Sequence, residues 1–340
     1  MMRRSLHILA SIAALAIVAP VGEAAAQTIE LKVSLFAAPT NPLNVEFKRF
    51  ADDIAAKSNG RLKLNLYHAS QMGPPPRQFD LIRTGVADMG YVLHGLTPGR
   101  FPLTELVELP GVSPSGFASG MALREMLDEY LAKEHAGTKV LGFMVTPPVP
   151  VFTTKVAIHT VNDFKGLRIR HPGPVISATL QAFGATPMAV PPGDVNESLA
   201  KGVIDGAAMG YSGATSFKLG DVVKYVTDPN IGGATFAAIM NEGAYNRLPA
   251  DLKRLIDSYS SIEANRTGWA AVLDPGEAQH KEILLKEGVE VIPLTDAARA
   301  EFAAADAKVQ EATLDGLEKK GLPARAYFKK LTAALKKYGG

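Results

Sequence analysis

The sequence predicts an α/β protein built as two similar lobes facing each other across a crevice. Three observations lead to that fold class. The stretch Asp163–Met209 reads strand, helix, strand, loop, helix, strand from its hydrophobic period and its Gly/Pro punctuation. The same order occurs earlier in the chain. Aligning Gly85 with Gly202 also aligns Ile82 with Leu199, Val86 with Val203 and Asp88 with Asp205, the mark of an internal repeat. Two extended runs punctuated by Pro or Gly, Thr146–Lys155 and Gly232–Met240, read as two crossings between lobes, the geometry of a hinge.

Taken in order, the chain of 340 residues is long enough for about two domains. Its 47% hydrophobic and 21% charged residues suit a folded protein with an ample core. Residues 1–26 stand apart: basic Arg3 and Arg4, an apolar run Leu6–Val18, then the small residues Ala24, Ala25 and Ala26. That three-part pattern predicts a signal peptide cleaved near Ala26, hence a periplasmic protein; the run is short for a bilayer span. There is no cysteine, so no disulfide scaffold and no lipidated cysteine is expected. The formal charge of +2 falls to +1 once two arginines and Glu23 leave with the signal peptide. So balanced a charge offers no footprint for nucleic acid.

Ile29–Phe36 alternates as a buried first strand and ends in the loop 37–42; a helix with an apolar face follows to Lys57. Leu62–Tyr67 and Met89–Leu93 read as strands, Gly116–Lys133 as a helix and Lys139–Val145 as a strand. From Pro249 a long helix is expected to run past Trp269 and span the hinge, until Asp274-Pro275-Gly276 interrupts it. The charged segment from Glu277 onward reads as helical with a solvated face. Lobe I is therefore expected to comprise residues 27–148 plus about 237–268, and lobe II residues 149–236 plus about 269–340.

Ligands in open α/β sheets sit at the carboxyl ends of strands. Arg170, the last residue before the His171-Pro172-Gly173 turn, is the principal candidate there, because its guanidinium offers a rigid fork of donors to a carboxylate. His94 lies at another strand end. Asn41, Gln71, Tyr91 and His94 are the lobe I candidates for a second polar site, and Met209, Tyr211 and Phe236 are candidate pocket walls.

The chain resembles the solute-binding component of tripartite ATP-independent periplasmic (TRAP) transporters. The resemblance rests on Ala69–Gly73, Gly85–Tyr91, Lys165–Pro172, Gly184–Pro187 and Leu199–Gly206, and spans essentially all of the chain after the signal. It implies a type II-like, two-lobed periplasmic binding protein with mixed sheets. Such a protein closes on an organic acid and delivers it to an ion-gradient-driven permease, here without cofactor or metal and as a monomer. It also implies that Arg170 binds the ligand carboxylate. The family's usual polar run after Asp-Gly is replaced by Ala207-Ala208-Met209, and no arginine lies near Pro150-Val151. Both departures favour one carboxylate on an apolar or aromatic body.

Two other classes compete. A binding protein for an ATP-driven importer or a sensor would share the two-lobe logic. An exported hydrolase would have to assemble its site from distant residues, since G-x-G-x-x-G, P-loop, H-E-x-x-H and G-x-S-x-G patterns are all absent. The seven histidines show no metal-ligand spacing.

Overall fold

The repeat becomes two sheets of one plan. The computed structural model describes residues 28–339, so the signal-peptide expectation lies outside the described residues. The strands are β1 Ile29–Ser34, β2 Leu62–Tyr67, β3 Met89–Leu93, β4 Thr138–Val145, β5 Val151–Thr153, β6 Arg168–His171, β7 Thr186–Ala189, β8 Gly206–Ala208, β9 Tyr225–Thr227, β10 Thr235–Asn241 and β11 Glu290–Ile292. Lobe I holds β2-β1-β3-β10-β4, and lobe II holds β11-β9-β5-β8-β6-β7. In each lobe three strands run parallel (β2-β1-β3 and β7-β6-β8) and the fourth, β10 or β5, is antiparallel to its neighbours.

The aligned residues do equivalent work. Asp88 accepts the Lys32 backbone N–H at 2.8 Å, and Asp205 accepts that of Arg168 at 2.9 Å, so each carboxylate ties the strand it precedes to the neighbouring one. Gly85 and Gly202 turn the chain into those strands at φ +79° and +66°, a region costly for other residues.

The chain crosses between the lobes twice, and the crossings bind each other. Thr146 N–H donates to Ala234 O at 3.0 Å, Val149 N–H to Gly232 O at 2.8 Å, and Ala234 N–H to Thr146 Oγ1 at 2.8 Å. Each lobe thus receives its fourth strand from the far side of a crossing. A third link is helix Asp274–Lys286. Asp274 accepts the N–H groups of Gly116 and Phe117 in lobe I, both at 2.9 Å; Glu277 accepts those of Tyr211 (2.7 Å) and Ser212 (3.1 Å) in lobe II. Carboxylates at helix starts are favourably placed.

Several expectations need correction. The single long helix from Pro249 is instead Ala250–Ser258, Ile262–Thr267 and a short turn Trp269–Ala271 before Asp274. Ser261 starts a new helix by accepting Ala264 N–H, and Gly268 leaves helical geometry at φ −121°, ψ −95°. The helix expected to Lys133 runs Gly116–Met126 and passes into a π-helical turn, Leu127–Leu131. The residues from about 269 do not all join lobe II. Trp269 is buried against Phe47 and Phe50 of lobe I. Helix Ala324–Gly339 buries Tyr327, Leu331 and Leu335 in the lobe I core around Phe101 and Leu123. Its apolar face packs inward while Lys337 pairs with Glu125 outside.

Candidate functional site

The carboxyl ends of β1, β3, β6 and β8 converge on a cavity between the lobes, the place where open α/β sheets hold their ligands. Phe36, Tyr91 and Phe236 form its lobe I wall, with ring centroids 4.6 Å (Phe36–Tyr91) and 6.2 Å (Tyr91–Phe236) apart. Lobe II answers with Pro172, Pro192, Ala208, Met209, Gly213 and Phe217.

One charged side chain borders this space. Arg170 is 2% exposed and its guanidinium is locked by Nε–H to Val190 O and Nη1–H to Ala208 O, both at 3.0 Å. Nε is therefore spent, while Nη2 and one Nη1 hydrogen remain for a ligand. Among the described residues no carboxylate pairs with Arg170, whereas Arg168, two residues earlier, is held by Asp205 at 2.8 Å. Burial lowers the Arg170 pKa to about 9, so at neutral pH the group is still a cation, desolvated and without a counter-ion.

The polar groups around the cavity are largely committed. Tyr91 Oη accepts Ala37 N–H at 3.1 Å and donates to Asn44 Oδ1 at 3.0 Å; burial pushes its pKa up. Asn41 caps helix Pro42–Lys57 through Leu43 N–H and reaches across the crevice to Ser216 Oγ at 3.1 Å. Thr146 Oγ1 already accepts Ala234 N–H. Ser212, on the lobe II side, has no side-chain partner among the hydrogen bonds described.

The cavity is lined by Arg170, Met209, Phe236, Asn41 and Tyr91 of the candidates read from sequence, and not by the other three. His94 is fully buried beneath it, bonded to Thr235 O and to His135 Nε2, both at 3.1 Å. Tyr211 turns its ring onto Phe152, centroids 5.7 Å apart. Gln71 is exposed, carried outward by Ala69 and Ser70 in left-handed conformations at φ 50° and 61°. Thr146, Ser212, Phe217 and Leu273 also line the cavity. No sequence signal marked them, because helix phase and crossing geometry decide which side chains face inward.

A family model described as bacterial extracellular solute-binding protein, family 7, matches residues 33–315. The chain belongs to that family. Family 7 supplies the solute-binding proteins of TRAP transporters, and solved relatives share this fold closely. A TRAP solute-binding protein from Rhodoferax ferrireducens T118, in complex with copurified benzoate, aligns with a TM-score of 0.87 at 29% identity, over 92% of this chain and 98% of that one. A marine metagenome TRAP protein specific for aromatic acid ligands, co-crystallised with 3-hydroxybenzoate, aligns at 0.88 and 30%, over 92% and 99%. The C4-dicarboxylate-binding periplasmic protein DctP of Rhodobacter capsulatus is 25% identical, over 78% of this chain and 83% of its own length.

The Asn41–Ser216 bond joins side chains of the two lobes beside the cavity, so it should stabilise the closed form. Ser216→Ala is expected to weaken ligand binding two- to tenfold, about 0.5–1.5 kcal/mol, with little change in ligand-free stability. Asn41→Ala should show the same binding loss plus about 1 kcal/mol of destabilisation from the lost cap. Calorimetry and denaturant melts on both variants check this; unchanged affinity in Ser216→Ala would remove the latch.

Proposed function

We propose that this family 7 receptor captures a small monocarboxylate with an aromatic or short aliphatic body and passes it to an ion-gradient-driven TRAP permease. The observation that carries the reading is the cavity's charge: one unpaired arginine in a mainly apolar, acid-free lining whose polar groups are largely committed. The ligand carboxylate takes the open fork of Arg170, and its ring or chain lies between the Phe36–Tyr91–Phe236 wall and Met209. A second carboxylate would be buried without a cation, costing several kcal/mol. A single hydroxyl near the acid can be met by Ser212. The bound benzoate and 3-hydroxybenzoate of the two solved relatives support the same class. The protein acts as an exported receptor with no turnover of its own. That one chain supplies both sides of the crevice supports a receptor that works as a monomer.

A thermal-shift screen over aromatic, aliphatic, dicarboxylic and sugar acids tests the reading. At a hundredfold excess over Kd, benzoate or 3-hydroxybenzoate should add about 2.7 kcal/mol, raising Tm by about 4 °C for a chain of this size. Succinate or malate should leave it nearly unchanged. The largest shift coming from C4 dicarboxylates, with none from monoacids, would overturn the pocket assignment and leave family membership intact.

A further inference from the structure

Apart from the ligand cavity, two buried carboxyl groups lie where the lobes meet. Glu105 and Glu108, on the short turn Thr104–Glu108 of lobe I, are 4% and 1% exposed, and Glu105 Oε1 and Glu108 Oε2 have no hydrogen-bond partner. Glu108 spends Oε1 on the Thr235 N–H (2.9 Å) and hydroxyl (2.6 Å), at the start of β10. Its other oxygen lies at the lobe boundary: a Cβ on Gly173 of lobe II would stand 3.4 Å from it. Gly173 precedes helix Pro174–Ala182, whose Val175 is buried among lobe I core residues, and Gly95 meets Gly173 backbone to backbone beside it.

No cation compensates these groups. Helix Pro174–Ala182 carries no charged side chain. On helix Gly116–Met126, Arg124 bonds Ser260 O and Glu125 is held by Lys337. Arg100 is committed to the carbonyls of Glu134 and Ala136. Glu134 adds a third carboxylate, itself satisfied by the N–H groups of Leu103 and Thr104 and the Thr104 hydroxyl. Burial drives His94 and His135 towards their neutral forms, and keeps the buried phenol of Tyr327 neutral. Neither Glu105 nor Glu108 borders the ligand cavity, so the ligand does not reach them.

We propose that Glu105 and Glu108 form a proton-uptake site at the seam, so that closing lobe II over them makes the liganded protein take up about one proton that the open protein does not hold. Closure sets Gly173 of lobe II against Glu108, beside Glu105 on the same turn, and supplies no cation. Protonating one avoids the cost of an unpaired buried charge. In the closed form burial raises both pKa values, and for Glu105 the nearby Glu108 and Glu134 raise it further. The sign follows from linkage. Closure raises the carboxyl pKa, so affinity is greatest below the ordinary carboxylate range and falls as pH rises towards the closed-state value. Across that window each pH unit weakens binding about tenfold per proton.

Benzoate is the probe, and its use rests on the aromatic-acid reading. Titration calorimetry at one pH in buffers of differing ionisation enthalpy should report uptake of about one proton per benzoate bound. The Glu105→Gln/Glu108→Gln double variant, isosteric with the protonated pair, should bind benzoate with no proton uptake and little pH dependence between pH 6 and 8. Zero uptake by wild type despite binding, or unchanged uptake in the variant, overturns the proposal. If benzoate does not bind at all, it is the aromatic-acid reading that fails. The seam is then read on ligand-free protein by small-angle scattering: compaction at pH 5.5 relative to pH 8.5, lost in the double variant, supports proton linkage, and a radius independent of pH in both proteins overturns it.

Discussion

Arg170→Ala is expected to lose about 3–5 kcal/mol of benzoate binding, roughly two to three and a half powers of ten in Kd. The cavity holds no second cation to take over, so the variant would bury a carboxylate with no partner. Arg170→Lys should recover little. An ammonium cannot hold Val190 O and Ala208 O and still present a planar fork. Those two bonds orient the guanidinium before the ligand arrives, so its loss affects both charge and geometry. Calorimetry of both variants decides the point. An alanine variant within about 1 kcal/mol of wild type would show that the carboxylate binds elsewhere.

Trp269→Ala carries the largest expected stability cost, about 3–5 kcal/mol. The indole is 2% exposed, packs on Phe47 and Phe50 at centroid distances of 5.2 and 5.4 Å, and donates Nε1–H to Tyr259 O at 3.1 Å. It also covers Gly142 of β4, where an added Cβ would overlap the ring. The residue lies just before helix Asp274–Lys286, so its loss should loosen that interlobe link. Urea denaturation monitored by circular dichroism measures the cost. A loss under about 1 kcal/mol would mean that the surrounding rings close the gap.

The parts of this architecture that depend on local pattern were legible in the sequence. The Gly85/Gly202 and Asp88/Asp205 pairs marked equivalent turns and strand ties, and the position of Arg170 before a turn put it at a strand end facing the crevice. Side-chain direction was less legible. Tyr91 and Leu93 line the cavity because alternate strand residues share a face, and the same alternation sends His94 the other way. Gly210, Ser212 and Gly213 reach the cavity, while the helix they begin rotates the ring of Tyr211 onto Phe152. The break at Tyr259–Ser261 was obscured because the apolar spacing of Leu252, Leu255, Ile256, Tyr259 and Ile262 continues smoothly through it. The destination of helix Ala324–Gly339 depended on a partner far away in sequence, which no local period encodes.

The return of β10 to lobe I governs the order in which the chain can become native. As residues emerge during synthesis, β1 to β4 appear without β10, which must fit between β3 and β4, and without the helix whose Tyr338 hydroxyl meets Glu125 from 213 positions away. Lobe I, first to be made, is thus among the last parts to be completed. Contacts of such sequence separation slow folding, which leaves the nascent chain open for longer. A separately expressed segment 27–148 would lack the strand that joins β3 to β4 and one face of its core. The first segment of lobe I is therefore not a unit that could be borrowed, truncated or grafted alone.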